Sequence, residues 1–330
     1  MEFNLSGFPV AEAQQKKGES VKLLVLGSGP AGLSAALYAA RAELTPVLLT
    51  GLEIGGQAGL TFTIENYPGF PEGVGGYELG ELFQKQAEKF GARIELETAS
   101  AVDLSRRPFK ISTYSADYLA DSLVIATGAR SNHLEIPGEK ELTGHGVSYC
   151  ATCDGYFFKE KRVVVVGGGD SALEEGLFLT RYASSVTIVH RRDSLRAGAI
   201  LQKRAHDNPK VHFVWNSVLT EIVGDKLVEG VKLKNVVSGE ESLLPTDGVF
   251  IFIGHTPNTD LFKGQLEMDD RGYIKTDMLM QTSVNGVYAA GEAADPNFRQ
   301  VVTSAGMGAA AAMQAIKYLE KEEVHSPGAA

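Results

Sequence analysis

VKLLVLGSGPAGLSAALYAARAELTPVLLT, residues 21–50, is the stretch that decides the fold. An apolar run ends in the glycine-rich segment GSGPAG (27–32), a small-residue helical segment follows, and a second apolar run closes the stretch. This order predicts a strand, a tight turn, a helix and a second strand. In that context the first glycine permits the turn, the second lets the backbone approach a pyrophosphate, and the third allows close packing of helix and strand. We therefore predict a dinucleotide-binding unit, the alternative being a glycine turn that only caps a strand.

The same design occurs a second time in the chain. KRVVVVGGGDSALEEGLFLTRYASSVTIVH (161–190) repeats the pattern, and the step of 23 residues from Gly27 to Thr50 recurs from Gly167 to His190. Such a repeat predicts an internal duplication. Two nucleotide-binding units of the doubly wound α/β type follow from it.

Each of the two units ends in a matching strand, and a later segment of the chain completes the first unit. DSLVIATGAR (121–130) and DGVFIFIGHT (247–256) both run from an acidic residue through an apolar strand to a glycine seven positions later. The segment 285–319 adds a short strand, a glycine-rich loop and a small-residue helix, which the first unit needs at its far end. We predict an α/β fold with two Rossmann-like, doubly wound, three-layer dinucleotide-binding domains, the second inserted into a split first domain. Residues 93–118 show mixed alternation, which predicts a small additional β-layer in the first domain.

The predicted extents follow from these strands, with hinges near Arg130 and Thr259. The first domain comprises residues 1–130 and 260–330, the inserted domain with both cysteines comprises 131–259, and the ends 1–20 and 320–330 are expected to be flexible.

Composition limits the possible functions. The 330 residues are 44% hydrophobic, enough to bury two cores, and the formal net charge of −10 disfavours binding to nucleic acid or to an anionic membrane. No apolar run approaches the ~18 residues that span a bilayer, and the N-terminal sequence lacks the pattern of a secretion signal. We therefore expect a cytoplasmic protein that binds neither nucleic acid nor membrane.

The two glycine turns predict different ligands. In the second unit the strand after the turn ends in HRR (190–192), with Arg196 close behind, and guanidinium groups suit a ribose 2′-phosphate. This predicts NADPH rather than NADH, the alternative being the solvated start of a basic helix. The first unit has no such cluster after Leu49, and FAD is the natural partner of a nicotinamide cofactor because hydride passes readily between the two.

Both cysteines of the chain lie in SYCATCDGYFF (148–158), three positions apart. Such a pair could bind metal, form a static disulfide or carry electrons. Zinc needs about four ligands, and the sequence has neither a second pair of cysteines nor a closely spaced Cys/His pair to complete the set. We therefore predict no metal site. In the cytoplasm static disulfides are rare, which favours redox chemistry.

Further motifs lie between and after these stretches. In chain order the set reads GSGPAG (27–32), GGQ (55–57), ENYPGFP (65–71), ATGA (126–129), CATCDG (150–155), GGGDSALEE (167–175), HRRDSLRA (190–197), IGHTPNT (253–259) and GVYAAGEAADPNFRQVVTSAG (286–306). Together, over nearly all of residues 21–319, the chain resembles the low-molecular-weight, bacterial-type thioredoxin reductases of the pyridine nucleotide-disulfide oxidoreductase family.

The resemblance implies a homodimeric enzyme. NADPH would reduce FAD, FAD would reduce the Cys150–Cys153 disulfide, and the dithiol would reduce thioredoxin, with rotation of the inserted domain between the half-reactions. The implied catalytic residues are Cys150, Cys153 and, as general acid, Asp154, whose alternative role is to complement the helix dipole. Tyr156 and Phe157 would either meet the partner protein or simply pack.

The resemblance also assigns the cofactor sites residue by residue. FAD would contact Gly27, Ser28, Gly29, Pro30, Ala31, Gln57, Asn66, Thr127, Gly128, Gly291, Glu292, Arg299, Gln300 and Val301. NADPH would contact Gly168, Asp170, Ser171, Arg191, Arg192, Arg196 and Ile253.

The chain departs from the family pattern at three places. Glu292 stands where Asp is common, His145 stands at a position that is arginine in many relatives, and Asp170-Ser171 replaces a frequent Asn-Thr. The competing functions are a flavin-dependent dithiol oxidase, a flavin reductase for ferredoxin-like carriers and a redox-sensing flavoprotein. The HRRDSLR segment argues against the oxidase, and the CATCDG segment argues against the carrier reductase.

Overall fold

The computed structural model describes residues 17–51, 54–61, 63–64 and 66–325. The strands are β1 (Lys17–Leu26), β2 (Val47–Leu49), β3 (Arg93–Glu95), β4 (Ala101–Asp103), β5 (Phe109–Ser112), β6 (Ala116–Ile125), β7 (Ala129–Ser131), β8 (Val147–Ser148), β9 (Arg162–Val166), β10 (Ser185–Val189), β11 (Val211–Val214), β12 (Ser217–Val223), β13 (Gly230–Asn235), β14 (Glu241–Pro245), β15 (Gly248–Ile251), β16 (His255–Pro257) and β17 (Val287–Ala289). The helices are α1 (Pro30–Arg41), α2 (Gly56–Gly59), α3 (Gly76–Lys89), α4 (Ala151–Asp154), α5 (Asp170–Leu179), α6 (Ala199–Asp207) and α7 (Val301–His325).

The two ends expected to be flexible fall partly outside this range. Residues 1–16 and 326–330 lie outside the described residues. Residues 17–20 begin β1 and pair with β6, and residues 320–325 continue α7.

The first unit is built on a sheet with the strand order β3-β2-β1-β6-β5-β4, in which β17 also pairs with β6. Strands β1, β2, β3, β6 and β17 run parallel. Leu24 and Leu26 pack into one apolar cluster, and Leu23 and Val25 into another. Both faces of the sheet are therefore covered, which explains why the strand reads as a continuous apolar run.

One expectation for the first unit was wrong in part. Residues 93–118 were predicted to add a small β-layer to the first domain, but β3 is the outer parallel strand of the main sheet. The helix α3 between β2 and β3 is the crossover that a parallel pair requires. Only β4 and β5 are antiparallel, and they extend the same sheet from β6.

The C-terminal segment completes the first sheet. Strand β17 pairs in parallel with the end of β6, and a methyl group at Gly308 of α7 would lie 1.9 Å from the Ala31 carbonyl oxygen of α1. The split first unit with an inserted second α/β unit is thereby confirmed.

The inserted unit has a parallel sheet of its own, with the order β11-β10-β9-β15-β8. Its core lies on both faces of β9, where Val163 and Val165 face one cluster and Val164 and Val166 the other. The antiparallel sheet β12-β13-β14 belongs to the same unit and was not predicted. Strands β7 and β16 form a two-stranded antiparallel ribbon at the ends of the insertion.

The chain divides into two compact units at residues 128/129 and 258/259. Residues 57–79 group with the inserted unit, whereas the sequence placed them in the first domain. The described residues of this segment, 57–61, 63–64 and 66–79, contribute no strand to the first sheet, and the bridge between Ile64 and Val74 is local. The predicted extents of the domains remain a prediction.

Candidate redox and dinucleotide sites

The first glycine turn has the shape that a pyrophosphate site needs. Gly27 has a φ of +104°, and a methyl group there would lie 2.2 Å from the carbonyl oxygen of Ala126. At Gly32 a methyl group would lie 1.8 Å from the carbonyl oxygen of Gly27, whereas at Gly29 it would meet nothing within 4 Å. The first and third glycines are thus closely packed, and the second opens onto free space at the N-terminus of α1. The turn fits a dinucleotide phosphate.

Other residues assigned to the flavin lie around this turn. Ser28 is buried and donates a hydrogen bond to the Thr50 carbonyl oxygen at 3.1 Å. Thr127 and Gly128 follow β6, beside the turn. Gly291, after β17, lies so close to Ala31 that a methyl group would come within 2.9 Å of the alanine Cβ. The carboxyl ends of β1, β6 and β17 therefore bring these residues together. Gln57 in α2 and Asn66 lie in the segment grouped with the inserted unit, and their role stays a prediction.

A carboxylate that the sequence did not single out organises the loop before α7. Asp295 is buried, and it accepts hydrogen bonds from the backbone N–H groups of Asn297, Phe298 and Arg299 at 2.8, 3.0 and 3.2 Å. This turn leads the chain through Arg299, which has a φ of +52°, to Gln300 and Val301 at the start of α7. The sequence signal was Asp-Pro-Asn, because an Asp side chain often bonds to the backbone N–H two residues on.

Glu292, one of the departures from the family pattern, lies in the same loop. Burial raises the pKa of Glu292 to about 7, and the positive charge of Arg299 only partly opposes this shift. Between the ordinary value of 4.5 and about 7 the folded chain therefore binds more protons than the unfolded chain. Its stability must fall as the pH rises through this range.

We predict that Glu292→Gln removes this pH dependence. At pH 4.5 the variant and the parent should have similar stability, since both carry a neutral side chain in the folded state. Above pH 7 the variant should be more stable by about 3 kcal/mol, because no charge remains to be buried. Thermal unfolding from pH 4.5 to 8 measures the difference, and a constant difference across the range would contradict the assignment.

The second glycine turn also has an open second glycine. A methyl group at Gly167 would lie 2.6 Å from the Phe252 carbonyl oxygen, whereas at Gly169 its nearest neighbour would be the Arg196 Nη2, 4.0 Å away. The backbone N–H groups of Arg196 and Ala197 both donate to the Gly168 carbonyl oxygen, at 2.7 and 3.2 Å. The loop after β10 thus folds back over the turn and holds a guanidinium group in front of it. This arrangement fits a phosphorylated dinucleotide.

Asp170 connects this loop to the helix that follows the turn. Asp170 begins α5, and its Oδ1 accepts a hydrogen bond from the backbone N–H of Gly198 at 2.7 Å. Gly198 is the N-cap of α6. The Asp170 Oδ1 therefore fixes the far end of the arginine loop. An asparagine Oδ1 could accept the same bond, so the structure does not explain the departure from asparagine. Ser171 lies beside it in the first turn of α5.

The remaining basic residues are exposed, but the histidine beside them is not. Arg191 and Arg192 follow β10 on a loop, and α6 begins only at Ala199, so these two arginines do not lie in a helix start. His190 is 5% exposed and packs against Gly168. Burial, with the charge of Arg196, lowers the pKa of His190, so this residue does not add to the cationic cluster at neutral pH. Ile253 follows β15 at the same edge of the sheet.

The two cysteines are joined by a disulfide in the inserted unit. Cys150 is the N-cap of α4, Cys153 lies within the helix, and their Cα atoms are 5.3 Å apart. The backbone N–H of Ala151, at the start of this helix, donates to the Glu175 Oε2 of α5 at 3.2 Å. Glu175 was not singled out from the sequence, because its contact with α4 depends on how α5 packs. The disulfide is thus held against the helix that follows the second glycine turn.

Asp154 is placed to hold a proton beside the disulfide. Burial raises the pKa of Asp154, and a hydrogen bond from the Ser148 hydroxyl, at 2.6 Å, opposes the shift only in part. The same hydroxyl accepts a hydrogen bond from the backbone N–H of Cys150 at 3.1 Å. Ser148, which the sequence did not reveal, therefore connects the carboxyl group to the cysteine loop.

The surface next to the disulfide carries exposed aromatic rings. Tyr156 is 56% exposed and Phe157 42% exposed. The ring of Tyr156 contacts that of Tyr182 edge-on, with centroids 5.8 Å apart, so it is both packed and accessible. His145 is also exposed.

The described part of the chain has neither a cluster of metal-ligating side chains nor a membrane-spanning helix. No group of three or more His, Cys, Asp or Glu side chains in residues 17–51, 54–61, 63–64 and 66–325 is arranged to hold a metal ion. Over the same part of the chain, no helix has the length and apolar character needed to cross a membrane.

Comparison with known proteins agrees with this geometry. The family model for pyridine nucleotide-disulphide oxidoreductases matches residues 21–308. The thioredoxin reductase of Rickettsia felis is 52% identical to this chain, and the match covers 92% of this chain and 99% of the relative. The thioredoxin reductase of Mycolicibacterium smegmatis is 47% identical, and the match covers 91% of this chain and 97% of the relative. The crystal structure of thioredoxin reductase from Streptococcus pyogenes superposes with a TM-score of 0.87 at 42% identity, covering 92% of this chain and 99% of that one. The expectation from the sequence is confirmed: this chain belongs to the pyridine nucleotide-disulphide oxidoreductases and, within them, to the bacterial-type thioredoxin reductase family.

Proposed function

We propose that this chain is an NADPH-dependent thioredoxin-disulfide reductase. The observation that carries the proposal is the Cys150–Cys153 disulfide at the start of α4, with the buried Asp154 beside it. The disulfide belongs to the same unit as a glycine turn faced by Arg196. A dithiol site, a proton donor and a phosphate site in one unit are the parts that such a reaction needs.

The cofactors fit the two glycine turns. FAD would be held by the residues around Gly29 and by the loop of Asp295, and NADPH by the second turn with Arg191, Arg192 and Arg196. When bound, the flavin would supply a two-electron relay between the nicotinamide and the disulfide. The exposed guanidinium groups would favour NADPH over NADH, since they can pair with a 2′-phosphate.

The residues of the inserted unit would then carry out the exchange. Two electrons and two protons convert the Cys150–Cys153 bond into two thiols. One thiolate attacks the disulfide of thioredoxin and forms a mixed disulfide, and the other cysteine displaces the second thiol of thioredoxin, which leaves reduced. Asp154, whose pKa is raised by burial, would donate to the departing sulfur.

Further parts of the proposal concern the partner and the assembly. The exposed Tyr156 and Phe157, next to the disulfide, would form part of the surface that meets thioredoxin. We also propose that the protein works as a homodimer in the cytoplasm. The inserted unit would rotate about β7 and β16 between the half-reactions, so that nicotinamide and disulfide reach the flavin in turn.

Anaerobic titration of the flavin absorbance tests this function. Addition of NADPH should bleach the flavin rapidly, NADH should do so far more slowly, and oxidised thioredoxin should restore the oxidised spectrum. Failure of NADPH to bleach the flavin would contradict the proposal. Bleaching by a small dithiol but not by NADPH, followed by recovery with oxygen, would instead identify a dithiol oxidase.

Replacement of Asp154 by asparagine should slow one half-reaction selectively. Asp154→Asn keeps an acceptor for the Ser148 hydroxyl but carries no acidic proton, so reduction of thioredoxin should slow about 100-fold. Reduction of the flavin by NADPH should be unchanged. In the parent the thioredoxin step should slow as the pH rises through the raised pKa of Asp154, and this dependence should be absent in the variant. Stopped-flow absorbance measures both steps, and equal slowing of the two would count against a general acid.

A further inference from the structure

A buried carboxylate lies behind the cysteine loop. The side chain of Glu139 is 4% exposed. It accepts hydrogen bonds from the backbone N–H groups of Leu134 and Glu135, at 3.0 and 2.7 Å, and from the Tyr149 hydroxyl at 2.7 Å. Burial alone would raise the pKa of Glu139, but these hydrogen bonds lower it below the ordinary value. The group is therefore a buried anion stabilised by hydrogen bonds from the backbone and from Tyr149.

The Tyr149 hydroxyl stands between this anion and a histidine. The Nδ1 of His133 lies 2.8 Å from the Tyr149 oxygen and 3.4 Å from the Glu139 Oε1. Because the single hydroxyl proton is directed at Glu139, the His133 Nδ1 carries a proton and donates to the tyrosine oxygen. The rings of His133 and Tyr149 also meet edge-on, with centroids 5.1 Å apart. The three side chains form one continuous hydrogen-bond chain.

The chain of hydrogen bonds connects two functional parts of the inserted unit. At one end Tyr149 directly precedes Cys150. At the other end His133 follows Asn132, whose Oδ1 accepts a hydrogen bond from Thr256 at 2.8 Å and whose backbone N–H donates to the Gly254 carbonyl oxygen at 3.0 Å. The residue before the disulfide is thus tied to the segment that leaves the β7–β16 ribbon.

We propose that Tyr149 is a positioning residue for the disulfide: its hydroxyl, held between Glu139 and His133, fixes the backbone at Cys150 and so favours the disulfide over the dithiol. Closing a disulfide costs the conformational freedom of its two residues. A tether on the neighbouring residue removes part of that freedom in advance, and a fully satisfied buried polar network is rigid. The bonds of Ser148 to Asp154 and of Ala151 to Glu175 anchor the other sides of the loop.

The thiol–disulfide equilibrium of the purified FAD-bound protein against dithiothreitol tests the proposal. Reduction breaks the Cys150–Cys153 bond with two electrons and two protons, and dithiothreitol closes its own disulfide. The fraction of dithiol is counted by thiol alkylation and mass spectrometry. Tyr149→Phe, which keeps the ring, should shift the equilibrium constant about fivefold toward the dithiol, as loss of one hydrogen bond would.

His133→Ala supplies a second, independent variant. His133 is half-exposed, so its loss should not prevent folding, and the equilibrium should shift about twofold in the same direction. Because His133 acts through the hydroxyl, the double variant with Tyr149→Phe should shift no further than Tyr149→Phe alone. The matched control is Tyr288→Phe, which removes one hydroxyl bond, to the Gln314 carbonyl oxygen, in the other unit. It should leave the equilibrium unchanged.

The results that would overturn the proposal are distinct from those for the function. The proposal is overturned if the thiol–disulfide equilibrium is unchanged in a folded Tyr149→Phe protein. It is also overturned if the shifts of the two single variants simply add in the double variant. A lowered unfolding temperature without a shift of the equilibrium shows a structural role only. If Tyr149→Phe does not fold, an unchanged equilibrium in His133→Ala overturns it. The inference rests on the proposed redox role of the pair, but the measurement needs neither NADPH nor thioredoxin. Failure of the function would appear separately, as a parent whose flavin NADPH does not bleach.

Discussion

Replacement of Cys153 by serine is expected to abolish reduction of thioredoxin, by at least ~1000-fold, while NADPH still reduces the flavin. A serine cannot form the Cys150–Cys153 bond, so the chain has no group that can accept two electrons and then exchange them with a disulfide. The cofactor turns are built from other residues, and their ligands should bind as before. Thioredoxin-dependent oxidation of NADPH and stopped-flow reduction of the flavin measure the two steps.

Cys150→Ser is the matched variant, because it removes the other half of the same bond. The variant that retains the attacking cysteine should accumulate a mixed disulfide with thioredoxin, since the second thiol needed to resolve it is missing. Comparing the two variants by non-reducing electrophoresis therefore identifies the attacking cysteine. Substantial thioredoxin reduction by either variant would remove the pair from the electron path.

Local patterns were enough to predict the fold around each glycine turn. The strand, turn and helix at 21–41 and at 161–179 depend on neighbours in sequence: an apolar run, glycines at fixed spacing and a helix of small residues. The same holds for the cysteine pair, because three positions of separation at a helix start bring the sulfur atoms together. The insertion was predictable since the second glycine turn lies between two parts of the first unit.

Features that depend on contacts distant in sequence were not predictable in this way. The sheet β12-β13-β14 was missed although Gly224 and Gly239 separate its strands, because no ligand motif marked this stretch as part of the inserted unit. His190 precedes two arginines in the sequence, but packing against Gly168 buries it. Glu139 and Glu175 act on the cysteine loop from 10 and 24 residues away, and only the folded chain brings them there.

The Asp154 prediction shows where sequence and structure complement each other. The resemblance implied a proton donor, but the raised pKa depends on burial, which a residue type cannot reveal. The structure adds Ser148 as the partner that holds the carboxyl group near Cys150. A role taken from a motif thus gained a physical cause that mutation can test.

The open second glycine of the first turn allows a sharp test of the flavin site. Gly29 has a φ of −68°, which alanine adopts without strain, and a methyl group there meets no atom within 4 Å. Gly29→Ala should therefore fold, with an unfolding temperature of the FAD-free protein near that of the parent. Its methyl group would occupy the space through which the pyrophosphate approaches the backbone, so FAD affinity should fall about 100-fold. Flavin released on dialysis and fluorescence titration with FAD measure the loss.

Two further glycines separate a blocked site from a damaged fold. Gly32→Ala would force a methyl group to 1.8 Å from the Gly27 carbonyl oxygen, so both the unfolding temperature and the flavin content should drop. Gly18→Ala, in β1, meets nothing within 4 Å and should change neither. Loss of flavin in Gly29→Ala without loss of FAD-free stability places the pyrophosphate at this turn, because crowding of the protein itself is then excluded. Parental FAD affinity in that variant would show that the cofactor lies elsewhere.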